Sequence, residues 1–371
     1  MYNQQKTNIM SPKIPLFYPY IPKERILAEI EESLTGRWLG QGPKVNKFEK
    51  RFGEVFQYEF PLMLNSGTSA LELAYHLIGI KEGDEVIVPI LDCTAGQMGL
   101  KRKGVNIVFA DIDDNLNIDP DDVARKITSK TKAVVGVHLG GIPFNPKLNE
   151  ICKQRNIPLI VDAAQHFAHC EGDYVCYSFQ AIKHFTTCDG GMIVLKDEAM
   201  YKRAKLLRWF GIDRDLKEKK NYQAWQRREM TFDVFEAGFK FQPTDIDACF
   251  GLAAIEDLDK IIAHRKKLGE LYVANLPKQC KPICGGTYWL MGILADKRDD
   301  LAEYLTQQGI DNNLVHLRND IYHIFGGKRQ NLPNMNKYEP QYLYLPLNPK
   351  VTEEDVLFVC EAIKSFYASV K

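Results

Sequence analysis

Lys183 sits in the segment Tyr177-Ser178-Phe179-Gln180-Ala181-Ile182-Lys183-His184-Phe185-Thr186-Thr187, among aromatic and apolar residues and just after a predicted strand. Burial there disfavours the ammonium form and yields the neutral amine that Schiff-base formation with a carbonyl needs. Most lysines are exposed and inert, so only the neighbours mark this one out. A second group is Asp162, which ends the apolar run in Ile160-Val161-Asp162-Ala163-Ala164-Gln165. A carboxylate at the end of a buried strand is costly unless a cation or strong donor meets it. A protonated pyridine nitrogen is one such partner, and holding it protonated makes a pyridine cofactor an electron sink. The alternative is an Asp that caps the following helix.

Two further segments concern an anion and a turn. Asn65-Ser66-Gly67-Thr68-Ser69-Ala70 precedes an amphipathic pattern. Free N–H groups and the helix dipole favour a phosphate at such a place, with the hydroxyls of Ser66 and Thr68 as added donors. Serine and threonine are also ordinary N-caps, and alone the segment reads first as a cap. Asp189-Gly190-Gly191 lets the chain turn sharply or approach closely before the next strand.

These groups need a frame, and the first half of the chain supplies one by alternating β-rich apolar runs with helical patterns. Strands are predicted at Glu85–Pro89, Asn106–Ala110, Ala133–Val137, Pro158–Val161, Tyr174–Phe179 and Met192–Leu195. Helices are predicted at Ser69–Ile78, Asp119–Ile127 and Lys147–Arg155. Such alternation indicates an α/β fold with a parallel or mixed sheet covered on both faces. Ligands of these sheets lie at the carboxyl ends of the strands. Asp92, His138 and Asp162 all follow strand ends. From Asp245 a long helical pattern runs to about Ala274, followed by shorter strands and a final amphipathic helix, Thr352–Ala368. Two domains are expected: an N-terminal arm plus a large α/β domain over residues 1–254, and a smaller C-terminal α+β domain over 255–371. Asp215–Lys220 (DLKEKK) reads as a solvated loop.

Composition narrows the function classes. Lys+Arg and Asp+Glu are both 48, so the formal net charge is zero, and neither a nucleic-acid nor a membrane surface is expected. No run of roughly 18 apolar residues is present, and the start MYNQQKTNIM has no apolar signal-peptide core. The nine cysteines are scattered, without paired CxxC motifs, so no metal site is expected and the thiols read as reduced ones in a cytoplasmic protein.

In their order and spacing, SGTSAL, VDAAQ, SFQAIKHFTT and DGG resemble the DegT/StrS-type (DegT/DnrJ/StrS) sugar aminotransferases, and the resemblance extends from Trp38-Leu39-Gly40-Gln41-Gly42-Pro43 to the last domain. It implies an aspartate-aminotransferase-type fold (pyridoxal-phosphate fold type I), whose large domain holds a mixed, mostly parallel seven-stranded sheet. It implies the cofactor pyridoxal 5′-phosphate, joined to Lys183, which then moves the proton between cofactor and substrate carbons. By the same resemblance Asp162 pairs with the pyridinium, Gln165 lies against the ring near its phenolic oxygen, and Ser66, Gly67, Thr68 and Ser178 hold the phosphate. The active site is shared across a homodimer, with Gly238–Asp245 as the segment that reaches the partner's phosphate.

The chain departs from the family at several positions. Lys240 stands where many members carry Asn, and as a point charge it can serve a phosphate or be solvated. Cys93 takes the place of an aromatic residue that stacks on the cofactor. Cys188-Asp189 replaces the usual glycine-glutamate, and the link between Gln165 and Ser178 is short.

The implied substrates are a nucleotide-linked keto sugar and L-glutamate, within deoxyamino-sugar and surface-polysaccharide biosynthesis. A 4-keto-6-deoxyhexose aminated at C4 is the expected acceptor, with a 3-keto sugar as the alternative. Trp38, Gln41, His184, His316 and Arg318 are candidate substrate contacts, and Arg208, Trp209 and Arg214 candidate phosphate or nucleotide neighbours. Each also has a structural reading: an anchor for the N-terminal arm (Trp38), a packed ring (His184), a satisfied polar cluster (His316 and Arg318). A related 3-dehydratase would carry histidine at the lysine position, which Lys183 argues against. A non-catalytic regulatory protein would have no reason to keep Asp162, Gln165, Ser178 and Lys183 together, and a desulfurase would need a reactive cysteine that no motif marks.

Overall fold

A computed structural model describes residues 13–213 and 234–370. Arg214 and the run Asp215–Lys220 lie outside the described residues.

The large sheet has seven strands: β1 (Phe60–Leu64), β2 (Glu85–Pro89), β3 (Asn106–Ala110), β4 (Thr131–Val137), β5 (Leu159–Asp162), β6 (Tyr174–Ser178) and β7 (Gly191–Leu195). Their spatial order is β1-β7-β6-β5-β4-β2-β3, and only β7 runs against the rest. β4 to β7 are buried almost throughout, as continuous Val, Ile and Leu runs require when helices cover both faces. All six predicted strands are present, β2 and β3 with the predicted bounds and the other four with ends shifted by a residue or two. The seventh, β1 (FPLML), has no β-branched residue and contains Pro61. A proline costs a ladder hydrogen bond and is tolerated at a sheet edge, which is where β1 lies.

Helices α1 (Lys23–Gly36) and α2 (Pro43–Phe56) precede the sheet. α2 buries Val45, Phe48, Phe52 and Phe56, a stripe at helical spacing. α3 (Gly67–Leu77), α4 (Ala95–Arg102), α5 (Pro120–Lys126), α6 (Lys147–Arg155) and α7 (Glu198–Arg208) follow within the sheet domain. The long helix expected from Asp245 is in fact two: α8 (Asp245–Ile255) and α9 (Leu258–Asn275), broken at Glu256-Asp257. The break separates two burial duties. α8 is apolar on almost every side because it packs under α1 and α2, whereas α9 packs against the last helix. Three antiparallel strands, β8 (Cys280–Ile283), β9 (Met291–Ala295) and β10 (Tyr342–Leu345), form the second sheet in the order β10-β9-β8. α10 (Arg298–Gln307), α11 (Pro333–Tyr338) and α12 (Glu353–Ser369) complete this part. Thr352 opens α12 with a capping box to Asp355. The segment before α1 joins the second sheet region: Ile14 bridges Ile310, and the Leu16 N–H donates to Asp311 Oδ2 at 3.0 Å. No helix among the described residues is long and apolar enough to cross a membrane.

Asp245 fastens the front of the chain to α8. Its fully buried carboxylate accepts the N–H groups of Gly42 (2.8 Å), Lys44 (3.2 Å) and Val45 (3.1 Å), and its own N–H donates to Gly40 O at 2.8 Å. It therefore caps α2 from a distant part of the sequence, in place of a side chain on the preceding residue, Gly42. Replacing Asp245 by Ala strands these buried donors. An expected loss of about 3 kcal/mol is to be read from urea unfolding of the variant against the parent protein.

Candidate active site

The site forms where strand ends converge. β5 delivers Asp162, 7% exposed, opposite Val137 of β4 and Cys176 of β6. Its Oδ1 accepts the Ala164 N–H at 2.8 Å, so a local turn uses one oxygen, and no helix follows for it to cap. Burial raises its pKa, opposed by that N–H and by the charge of Lys183.

Beyond β6 the chain turns tightly. Lys183 N–H donates to Gln180 O at 2.9 Å, Ile182 N–H to Gln180 Oε1 at 3.0 Å, and Thr186 Oγ1 to Phe179 O at 2.8 Å. The Lys183 side chain is half-buried, but its amine lies deep, and desolvation lowers its pKa against the pull of Asp162, Cys93 and Asp92. Nζ rests 4.5 Å from the centroid of the Trp289 ring. Burial thus weakens the ammonium form in the direction the neighbours of Lys183 suggested.

The anion cradle is built from three elements. Ser66 is the N-cap of α3: its Oγ accepts the Ser69 N–H at 3.0 Å and lies 2.8 Å from Ser69 Oγ. The capping reading of Ser66 therefore holds. Helix geometry leaves the N–H groups of Gly67 and Thr68 without intrahelical acceptors, and these remain for a phosphate together with the dipole. Gly67 lies against the end of β6, where an added Cβ would come within 2.7 Å of Ser178 Cβ. A Cβ on Gly191, which opens β7, would meet Ser66 O at 2.3 Å. Only glycine allows these three backbones to meet.

Gln165 and His316 approach from the side. Gln165 Oε1 accepts the Gly140 N–H at 2.7 Å, and its Nε2 lies 3.0 Å from His316 Nε2. Burial, and then the charge of Lys183, push His316 down to about 3, so its ring is neutral and accepts the amide hydrogen of Gln165. His316 also stacks on Trp289 at 6.4 Å and 16°. The structure thus brings Lys183, Asp162, Gln165 and His316 together. It adds Trp289, which the sequence reading missed because nothing in Gly285-Gly286-Thr287-Tyr288-Trp289 announces a partner 107 residues away at Ile182.

Other candidates lie elsewhere. Arg318 is the satisfied cluster: fully buried, it donates to both oxygens of Asp320 at 2.7 Å, to Asn336 Oδ1 at 2.7 Å and to Gln330 O at 3.0 Å. No donor fork is left to face a substrate. His184 is a packed ring, completely buried, with Nε2 on Thr287 O at 2.8 Å and its face against Phe167. Trp38, 46% exposed, and Gln41 occupy the loop before α2. Arg208 is buried and donates to Glu49 Oε1 at 2.6 Å and Met63 O at 2.9 Å, a structural pair. Lys240 is exposed, its Nζ 3.9 Å above the Trp209 ring, while its carbonyl accepts Asn65 Nδ2 at 3.3 Å beside the cradle. His138 accepts the Phe144 N–H at 3.1 Å and is packed.

Cys93 is exposed, and burial and the Asp92 charge raise its thiol. Beside it Asp92 is only 3% exposed, and its Oδ1 has no hydrogen-bond partner among the described residues. Gln97 reaches Oδ2 at 3.4 Å, but in the amide orientation that satisfies Gln97 its NH₂ donates to Cys93 O at 2.8 Å instead. Burial and then the charge of Asp162 hold Asp92 well above the usual carboxyl range. The unfolded chain releases this proton near the ordinary value and the folded chain only at higher pH. Between the two the native state binds more protons, so stability falls as pH rises. Asp92→Asn removes that loss. Thermal unfolding of cofactor-free protein is expected to show the variant's advantage growing from about pH 4 to about pH 8. A difference constant across that range would show Asp92 to be ionised throughout.

The donor set fits pyridoxal 5′-phosphate: free helix N–H groups for the phosphate, a buried carboxylate for the ring nitrogen and a desolvated amine for the aldehyde carbon. Comparison with known proteins agrees. Residues 21–364 match the DegT/DnrJ/EryC1/StrS aminotransferase family. GDP-perosamine synthase of Escherichia coli O157:H7 is 31% identical over 96% of this chain and 99% of its own length. The spore coat polysaccharide biosynthesis protein SpsC of Bacillus subtilis is 30% identical over 95% of this chain and 96% of its own. Among solved structures, the sugar aminotransferase CalS13 from Micromonospora echinospora superimposes with a TM-score of 0.87 at 26% identity, covering 95% of this chain and 99% of that one. On the site and on a match spanning nearly its whole length, the chain belongs to the DegT/DnrJ/EryC1/StrS aminotransferase family, as a pyridoxal 5′-phosphate-dependent enzyme that aminates nucleotide sugars.

Proposed function

We propose that the enzyme transfers the amino group of L-glutamate to C4 of a nucleotide-linked 4-keto-6-deoxyhexose, as a homodimer with shared active sites. The observation that carries the reading is the desolvated amine of Lys183 standing between a buried carboxylate, Asp162, and the Gln165–His316 pair. The choice of C4 is supported by two relatives, from Escherichia coli O157:H7 and Vibrio cholerae, that are GDP-perosamine synthases. Nine free cysteines agree with a reducing, cytoplasmic setting.

Each residue has a defined task in this reading. Gly67, Thr68 and Ser178 bind the phosphate, and Ser66 shapes the turn that presents their N–H groups. Asp162 holds the ring nitrogen in its charged form. Bound pyridoxal phosphate supplies the electron sink for the carbanion at the reacting carbon. Lys183 Nζ would move the proton between the nitrogen-bearing carbon of the substrate and the cofactor carbon in each half-reaction, a role worth roughly 10²–10⁴-fold in rate. Gln165 positions His316 and flanks the cofactor slot. Cys93, small where a ring would stack, lies on the open side. Lys240 and the exposed Trp38 and Gln41 serve the partner subunit's site, a role the exposed positions of Lys240 and Trp38 permit. In this scheme residues 1–254 carry the cofactor and 255–371 bring Trp289 and His316 to it.

Purified enzyme is expected to absorb in the visible, and Lys183→Ala to lose both that band and at least about 10⁴-fold in kcat. A band that persists in the variant would remove Lys183 from its role. Glutamate is expected to bleach the band, whereas bleaching only by other amino acids would reassign the donor. Titrating the aminated enzyme with GDP-, UDP- and dTDP-linked 3- and 4-keto sugars identifies the acceptor, and tight binding of 3-keto sugars alone would overturn the C4 assignment.

A further inference from the structure

Trp289 is 1% exposed although it borders the cofactor slot, and it is held on every side. Its N–H donates to Gly140 O at 3.1 Å, and its carbonyl accepts Arg265 Nη1 at 2.8 Å. Its indole Nε1–H donates to Ile182 O at 2.9 Å, which pins the turn that presents Lys183. Phe17, at 5.7 Å, and His316, at 6.4 Å, fix the ring plane. An indole face fixed this firmly, 4.5 Å from an amine, is a defined electrostatic surface and not an incidental contact.

The groups facing Lys183 Nζ come from four places: Asp162 at the end of β5, Asp92 and Cys93 in the loop after β2, His316 from the C-terminal part, and His184 next in sequence. With cofactor bound, the charge of Asp162 is engaged by the ring nitrogen. Burial pushes the Asp92 carboxyl and the Cys93 thiol up and both histidine rings down, which disfavours charge on all four. Among the described residues this leaves the indole face as the surface of negative potential available to an ammonium.

We propose that Trp289 is a positioning residue for Lys183: its indole face is the dock on which the released lysine amine carries its proton from one carbon to the other within each half-reaction. This rests on Lys183 being the transaminating lysine. The step is balanced without any further reagent. A carbon–hydrogen bond of the donor breaks with its electron pair left on carbon while an N–H bond forms at Nζ. In the same half-reaction that N–H bond would break as the proton passes to the cofactor carbon that takes the amino nitrogen, and the acceptor half-reaction would run the same two transfers in reverse, ending on the acceptor-derived carbon. Docking on the ring keeps the ammonium within reach of both carbons and out of water.

The test compares Trp289→Leu, which removes the ring, with Trp289→Phe, which keeps a weaker ring and loses the bond to Ile182. The first readout is the pH midpoint at which cofactor-stripped protein condenses with added pyridoxal phosphate, followed by growth of the visible band. Loss of the indole disfavours the ammonium, so the midpoint is expected to fall by about one pH unit in the Leu variant and by less in the Phe variant. The second is the basic limb of the kcat–pH profile, expected to shift downward in the same order with KM nearly unchanged. Unshifted midpoints, or kcat lost equally at every pH, would overturn the proposal and leave Trp289 a packing residue. If the Leu variant does not fold, the Phe variant decides by the same measurements. Failure of the underlying lysine assignment is distinguishable, because Lys183→Ala would then retain the band whatever Trp289 does.

Discussion

Two carboxyls, Asp92 and Asp162, and one amine, Lys183, share a floor from which water is largely removed, and in such a place a charge persists only if another charge or a set of dipoles meets it. Much of the surrounding architecture answers that requirement. Asp162 sits at a strand end where, in the proposed reading, a cationic ring nitrogen would meet it, and burial raises the Asp92 carboxyl well above its ordinary range. The lysine gives up part of its basicity and so becomes a nucleophile. The neutral His316, held by Gln165, adds a polar wall without adding a charge that would compete.

The sheet makes that floor possible. A mostly parallel sheet covered on both faces brings several strand ends to one edge, and there β1, β6 and β7 deliver the close backbone approach proposed to hold the phosphate while β5 delivers the carboxylate. The second sheet region contributes differently. Its loops carry Trp289 and His316 over the edge, and Arg318, Asp320 and Asn336 keep those loops in shape. Asn319 ties this part back to the floor by donating to Asp92 O at 3.2 Å. Arg318 thus belongs to the scaffold and His316 to the site, although only one residue separates them.

The sequence was most legible where chemistry and local order coincide. Lys183 in its aromatic turn, Asp162 at a strand end and the SGTS segment each kept an ordinary reading alone and became a candidate site only in combination. β2, β3 and α6 were legible to the residue because turn signals bound them. β1 escaped because Pro61 hides an edge strand, and the α8–α9 break escaped because apolar spacing continues through Glu256-Asp257 while the partner helices change. Trp289 and the solitary oxygen of Asp92 were illegible for a deeper reason. Their meaning lies in contacts across the fold, and neither has a local pattern to betray it.

The contact of Gly67 with Ser178, and of Gly191 with the Ser66 carbonyl, has a consequence for how such an enzyme can diversify. Because main chain touches main chain there, the separation between the phosphate end of the slot and the lysine turn is a fixed gauge, indifferent to side-chain fashion. A ligand held at both ends of that span would meet backbone that cannot shift to suit another length, while exposed loops at the rim can vary. Inheritance of one cofactor and turnover of sugars are then two faces of the same mechanical fact: the ruler is rigid, and only what lies beyond its end can be rewritten.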